Sequence, residues 1–128
     1  MFDQLQDIFL ISCGAILGAN IRFIIYEKLN KIDLINDFRI LLINTLASFF
    51  LGIFLSVLPR ISYYDFSYQL LLFFSIGLLG SLSTFSTFVY DLYKILIKFK
   101  FVSAFRLFFI SVSLGTIALA LGFFLGHK

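Results

Sequence analysis

Ser83, Thr84, Phe85, Ser86, Thr87 and Phe88 follow one another in a stretch that is otherwise apolar, with Gly77 and Gly80 just upstream. The four hydroxyls can donate hydrogen bonds. The rings add weakly positive edges, because an aromatic quadrupole is negative on its faces. Phe85 and Phe88, at i and i+3, can bring those edges to one line. Earlier in the chain, Asn44 lies four residues before Ser48 and eight before Gly52, so the three share a helix face. None of these groups is charged, and neutral donors suit a small anion and disfavour a cation. In hydrocarbon, a glycine-loosened polar segment survives only where it lines protein or water. The block therefore reads as an ion site. The plainer alternatives are core packing for the two rings and, for Asn44, an interhelical hydrogen bond, since an unbonded amide is costly in lipid.

The elements that must carry these residues are membrane spans. The chain is 61% hydrophobic and 13% charged, against roughly 25% charged in globular proteins, and its mean hydropathy is +1.05. Crossing the hydrocarbon takes about 20 apolar residues, and four segments qualify: residues 8–26, 40–58, 70–90 and 107–125. Charged connectors separate them, and in the third Lys94, Lys98 and Lys100 alternate with apolar residues, so that helix 3 is expected to continue along the interface. The single proline, Pro59, is expected to stop the second helix. Tyr26, Tyr63, Tyr64, Tyr68, Tyr90 and Tyr93 fall near span ends, where amphipathic rings prefer to sit. The expected fold is an all-α membrane protein of four transmembrane helices, one domain over residues 1–128.

Other chemistry has little to stand on. Asp3 and Asp7 precede the first apolar run, unlike the basic start of a signal peptide. The lone Cys13 cannot form an intramolecular disulfide and reads as a packing residue, and His127 reads as a solvated tail residue. There is no phosphate-binding loop, paired-cysteine zinc spacing or nucleophile elbow, so no enzyme activity is expected. A net charge of +3, dispersed along the chain, gives no footprint for nucleic acid. No Asp, Glu, Lys or His occurs within the core of a span, which leaves proton coupling without a titratable group.

Lys28, Lys31 and Arg39 in the first connector share a membrane side with Lys94, Lys98, Lys100 and Arg106 in the third, and Arg22 faces that side too. Only Arg60 and Lys128 lie opposite. By the positive-inside rule the two connectors are cytoplasmic and both termini outside. Arg22 reads either as a snorkelling residue or as a vestibule charge that gathers anions. Small residues in spans 1, 2 and 4, among them Gly14, Gly18, Ala47, Gly52, Gly115, Ala118 and Gly122, favour close helix approach. In span 4, Ser111 and Gly115 are one turn apart, with Thr116 close by, a weak polar stripe.

Three blocks together resemble the CrcB/Fluc family of bacterial fluoride channels. They are Gly14-x-x-x-Gly18-Ala19-x-x-Arg22, the asparagine block from Ile43 to Gly52, and Gly77-x-x-Gly80-x-x-Ser83-Thr84-Phe85-Ser86-Thr87-Phe88. The resemblance implies a multi-pass protein of the bacterial plasma (inner) membrane that lets fluoride leave the cytoplasm passively. It also implies two subunits packed antiparallel with dual topology, helix 3 broken at its centre, and two pores at the interface. Matched by position, Asn44, Phe85, Phe88, Ser111, Thr84 and Thr87 would line the fluoride path and Arg22 its vestibule. Backbone carbonyls of Gly80 and Ser83 would hold a structural sodium ion.

Three features depart from the family pattern. Leu107 stands where a tyrosine is common, and Ser83 where threonine is frequent. Eight of the ten Lys and Arg residues fall on one side, whereas a subunit inserting both ways should have balanced flanks. The second subunit is thus either another copy or a related chain of opposite orientation. The runner-up, a small proton-coupled multidrug antiporter subunit, needs a buried acid in helix 1, and residues 8–26 contain none.

Overall fold

The computed structural model describes residues 1–30, 36–63 and 65–128. Lys31 and Tyr64, counted above, lie outside them. Helix α1 covers Phe2–Asn30 and α2 covers Asn36–Ile61. The third span, Ser67–Leu96, is composite. It opens with α3 (Ser67–Leu70), widens into a π-helix (Leu71–Leu79), and tightens again into α4 (Gly80–Leu82). Ser83 (φ −88°, ψ 117°) and Thr84 (φ −114°, ψ 112°) are extended, and α5 follows over Phe85–Leu96. Helix α6 covers Phe101–His127. Four helices of the described residues are long and apolar enough to cross a membrane. At 1.5 Å per residue, α1 with its 29 residues is about 44 Å long. It therefore outruns a hydrocarbon core of about 30 Å and takes both polar flanks into the helix.

Two glycine-mediated helix pairs form the body. Helix α1 lies along the π-helix and α4, and α2 lies along α6. A Cβ at Gly77 would sit 2.7 Å from the Ile11 carbonyl and 3.0 Å from Gly14 Cα, so the two backbones touch where no side chain fits. Gly52 and Gly122 do the same for α2 and α6, each facing a backbone carbonyl of the other helix, Leu119 and Phe49 respectively. Close backbone approach between small residues is how apolar helices associate when lipid removes the hydrophobic drive. The buried cluster of Ile43, Ala47, Leu79 and Leu82 joins α2 to the third span beside the extended pair.

Pro59 does not stop α2, which continues to Ile61, and the Ser62 amide still donates to the Leu58 carbonyl at 2.9 Å. Only two helical residues follow Pro59, so the hydrogen bond its ring forfeits costs the helix little of its length. Helix 3 continues past residue 90 to Leu96, but Lys98 and Lys100 fall in the turn that follows and not on a helix. Arg39, counted above among the flanking cations, is buried, with its guanidinium 6.0 Å from the Tyr26 ring centroid. Neither proline nor charge marks the π-helix, whose nine residues are apolar apart from Ser75 and Gly77.

Candidate functional site

The extended residues Ser83 and Thr84 point to opposite sides, as successive residues of an extended chain must. Ser83 Oγ donates to Asn44 Oδ1 at 3.1 Å, tying the third span to the middle of α2. With its oxygen engaged, the Asn44 amide keeps its NH2 donors for another partner. A groove of about 390 Å³ opens on this side, where Asn44, Ser83, Phe85, Phe88, Phe108 and Ser111 meet. Phe85 and Phe88 have ring centroids 6.2 Å apart with planes at 45°, and Phe88 continues to Phe108 at 6.3 Å. The two signature rings differ in setting: Phe88 is buried, whereas Phe85 is 75% exposed at the groove's open face.

Thr84 and Thr87 face elsewhere. They line a cleft of about 10 Å³ with Arg22, Tyr26, Ile40, Ile43, Asn44 and Leu82, which is room for about one water-sized sphere. The Thr84 hydroxyl is buried there with no hydrogen-bond partner among the described residues. An unpaired buried hydroxyl costs about 1–3 kcal/mol, so this donor favours a further partner. Beyond the cleft lies a wider cavity of about 400 Å³, bounded by Ala19, Arg22, Phe23, Tyr26, Glu27 and Thr87. Arg22, Tyr26 and Thr87 border both cavity and cleft, and Asn44 borders both cleft and groove. The three spaces adjoin through these shared residues: a cavity bearing Arg22, a cleft with room for one water-sized sphere, and a groove of neutral polar side chains and phenylalanine rings.

Asn44, Ser83, Phe85, Phe88 and Ser111 thus meet in the groove, while Arg22, Thr84 and Thr87 line the cleft. Sequence reasoning missed Phe108, which enters the groove three residues before Ser111 on the same face of α6. That spacing was the available signal, hidden by the many phenylalanines around it. It also missed the buried carboxylate of Asp91, one residue past the expected end of span 3. Gly80 is exposed, and a Cβ placed there would meet only the Ser75 carbonyl, at 3.7 Å. Nothing among the described residues requires a glycine at that position.

A multi-span helical membrane protein with an uncharged groove of hydroxyls, amide and aromatic rings beside its third span is the class these features define. The family model for CrcB-like protein, Camphor Resistance (CrcB), matches residues 9–123. This chain belongs to that family. Over 124 residues it is 56% identical to a Prochlorococcus marinus (strain NATL2A) protein named fluoride-specific ion channel FluC 2, covering 97% of this chain and all of the relative. Proteins named fluoride-specific ion channel FluC from Desulfotalea psychrophila and Ignicoccus hospitalis are 32% and 35% identical. They cover 98% and 88% of this chain, and 96% and 88% of their own lengths.

Proposed function

We propose that this chain forms a fluoride-selective channel that lets the anion leave the cell down its electrochemical gradient. The observation that carries the reading is the adjoining of three spaces, the Arg22 cavity, the Thr84–Thr87 cleft and the Asn44–Phe88–Ser111 groove, lined past Arg22 by neutral donors. Arg22 gathers the anion at the mouth. The Thr84 hydroxyl, the Asn44 NH2 group and the ring edges of Phe85 and Phe88 replace its water in turn. A cleft with room for one water-sized sphere favours the small ion over larger halides, which would have to shed more volume than the walls can give. An interior-negative potential contributes about 2.3 kcal/mol per charge for each 100 mV, so outward movement needs no fuel and no chemical step.

The working unit in this reading is two subunits packed antiparallel with dual topology, each with helix 3 broken at Ser83 and Thr84. The extended dihedrals there, the open face of Gly80 and the exposed Phe85 support it. A structural sodium ion belongs to the same reading. Helix termination leaves the last carbonyls of a helix without amide partners; Gly80 opens the three-residue α4 and Ser83 caps it, and their carbonyls are hard oxygen donors of the kind such a cation takes. Among the described residues no His, Cys, Asp or Glu cluster competes as a metal site. Bound there, the ion would supply positive charge to neutralise converging carbonyl dipoles.

Purified chain reconstituted in liposomes, with efflux followed by a fluoride electrode, tests the proposal. Fluoride efflux without chloride efflux is expected. No flux from this chain alone, but flux when a related chain of opposite charge bias is added, would replace the homodimer by a pair of different subunits. No flux in either case would refute the channel reading.

A further inference from the structure

At the turn between α5 and α6, Phe99 is the only non-glycine residue with positive φ (55°) among the described residues. Beside this turn lies a cavity of about 550 Å³ lined by Lys94, Lys98, Lys100 and Arg106 together with Ser103 and Asp91. None of these residues borders the mouth, cleft or groove described above. Four cations face one carboxylate. Asp91 is buried and reaches Lys94 Nζ at 3.9 Å, and Lys94 also lies 4.2 Å from the Tyr90 ring centroid. Lys94 is therefore held by this chain's own groups. Among the described residues, Lys98, Lys100 and Arg106 have no carboxylate at ion-pair distance.

The segment that carries these cations is rich in exposed apolar residues. Phe99 and Val102 are 83% and 82% exposed, and Phe101 and Phe105 are more than half exposed. The rings of Phe99 and Phe101 meet edge to face at 6.3 Å. A site for a free inorganic anion has no use for so many exposed apolar neighbours, which would sit unfavourably against water. Three cations with no carboxylate at ion-pair distance among the described residues, interleaved in sequence with exposed phenylalanine and valine, fit a ligand anionic at one end and hydrocarbon at the other. We propose that this cavity binds the phosphate of an anionic phospholipid, with its acyl chains running past Phe99, Phe101 and Phe105. Arg106 presents a guanidinium fork to the phosphate oxygens, and Lys98 and Lys100 act as point charges. Ser103 adds a hydroxyl donor.

The test is native mass spectrometry of the full chain released from detergent, titrated in separate arms with phosphatidylglycerol, phosphatidylcholine and inorganic phosphate. Phosphatidylglycerol adducts are expected at the lowest concentration. Lys98→Gln, Lys100→Gln and Arg106→Gln should each weaken them about fivefold, the usual effect of one cation near an anionic headgroup. Lys28→Gln, which removes the same charge outside this cavity, should leave them unchanged. Equal retention of phosphatidylcholine, an equal loss in Lys28→Gln, or no loss in the three cavity variants would each overturn the site. Retention of inorganic phosphate alone would overturn the lipid as its occupant. None of these readouts depends on ion flux, so this proposal and the channel reading fail separately.

Discussion

Replacing Asn44 probes the proposed path where cleft and groove share a wall. Its oxygen accepts from Ser83 at 3.1 Å, which leaves the NH2 group as the donor available to an ion. Asn44→Ala removes one hydrogen bond to a charged ligand, worth about 1.5–3 kcal/mol. If that loss is felt at the barrier, fluoride flux should fall about 10- to 100-fold, at about 1.4 kcal/mol per decade. Asn44→Asp is the sharper variant, because it keeps an acceptor for Ser83 and the side chain's shape but puts an anion where a donor stood. A unit negative charge about 4 Å from the ion, at an effective dielectric constant of about 20, raises its energy by about 4 kcal/mol. That corresponds to about a thousandfold at the same conversion. Aspartate should therefore be worse than alanine, whereas a purely structural asparagine would give the reverse order. The assay is electrode-monitored efflux from proteoliposomes, with size-exclusion profiles to confirm intact protein. Flux in Asn44→Asp equal to or above that in Asn44→Ala would refute the assignment of the amide donor to the ion.

Other perturbations separate folding from conduction. Phe85→Ile should lower flux with little change in thermal stability, since the ring is 75% exposed; loss of stability with unchanged flux would place it in packing. Phe88→Ala should cost about 3–5 kcal/mol of stability because that ring is buried, and a chemical denaturation series in detergent measures it. Gly77→Ala should destabilise the monomer by about 1–3 kcal/mol, as its Cβ would meet the Ile11 carbonyl at 2.7 Å. Gly80→Ala, with only the Ser75 carbonyl in reach, should leave the monomer's thermal unfolding unchanged while weakening subunit association and any sodium dependence of it, read by cross-linking. Equal loss of monomer stability in both glycine variants would show that Gly80 serves internal packing.

The spans were legible because about 20 apolar residues between charged flanks leave a membrane chain few alternatives. Helix packing was legible in part. Gly14, Gly18, Gly52 and Gly122 seat neighbouring backbones, but Gly115 meets only Ser48 Oγ at 3.5 Å. Spacing does not say which side of a helix faces the partner within the chain and which faces outward. The same blindness hid the division of the polar block. Thr84 and Ser83 are adjacent in sequence, yet two extended residues send them to different spaces, whereas a continuous helix would have placed them about 100° apart. Phe108 and Asp91 were missed for related reasons. One phenylalanine among 19 carries no mark of its neighbours, and a carboxylate one residue past a span end looks solvated until the fold covers it.

The groove's geometry also bears on how many chains the site needs. A soluble protein of 14.7 kDa exposes about 6,900 Å², whereas this chain exposes 8871 Å². Lipid accounts for exposed apolar surface such as Ile16, Ile117 and Phe124 but cannot cover the groove. Lipid there would leave the Asn44 donors and the Ser111 hydroxyl against hydrocarbon, at several kcal/mol for each unpaired group. Water would satisfy them, but an open wet trough would pass any small ion and could not select. Protein on the open side would remove both difficulties and would cover Phe85 in the same step. A groove that sets Asn44 and Ser111 at an open face in mid-span is therefore where the proposed second subunit would have most to contribute.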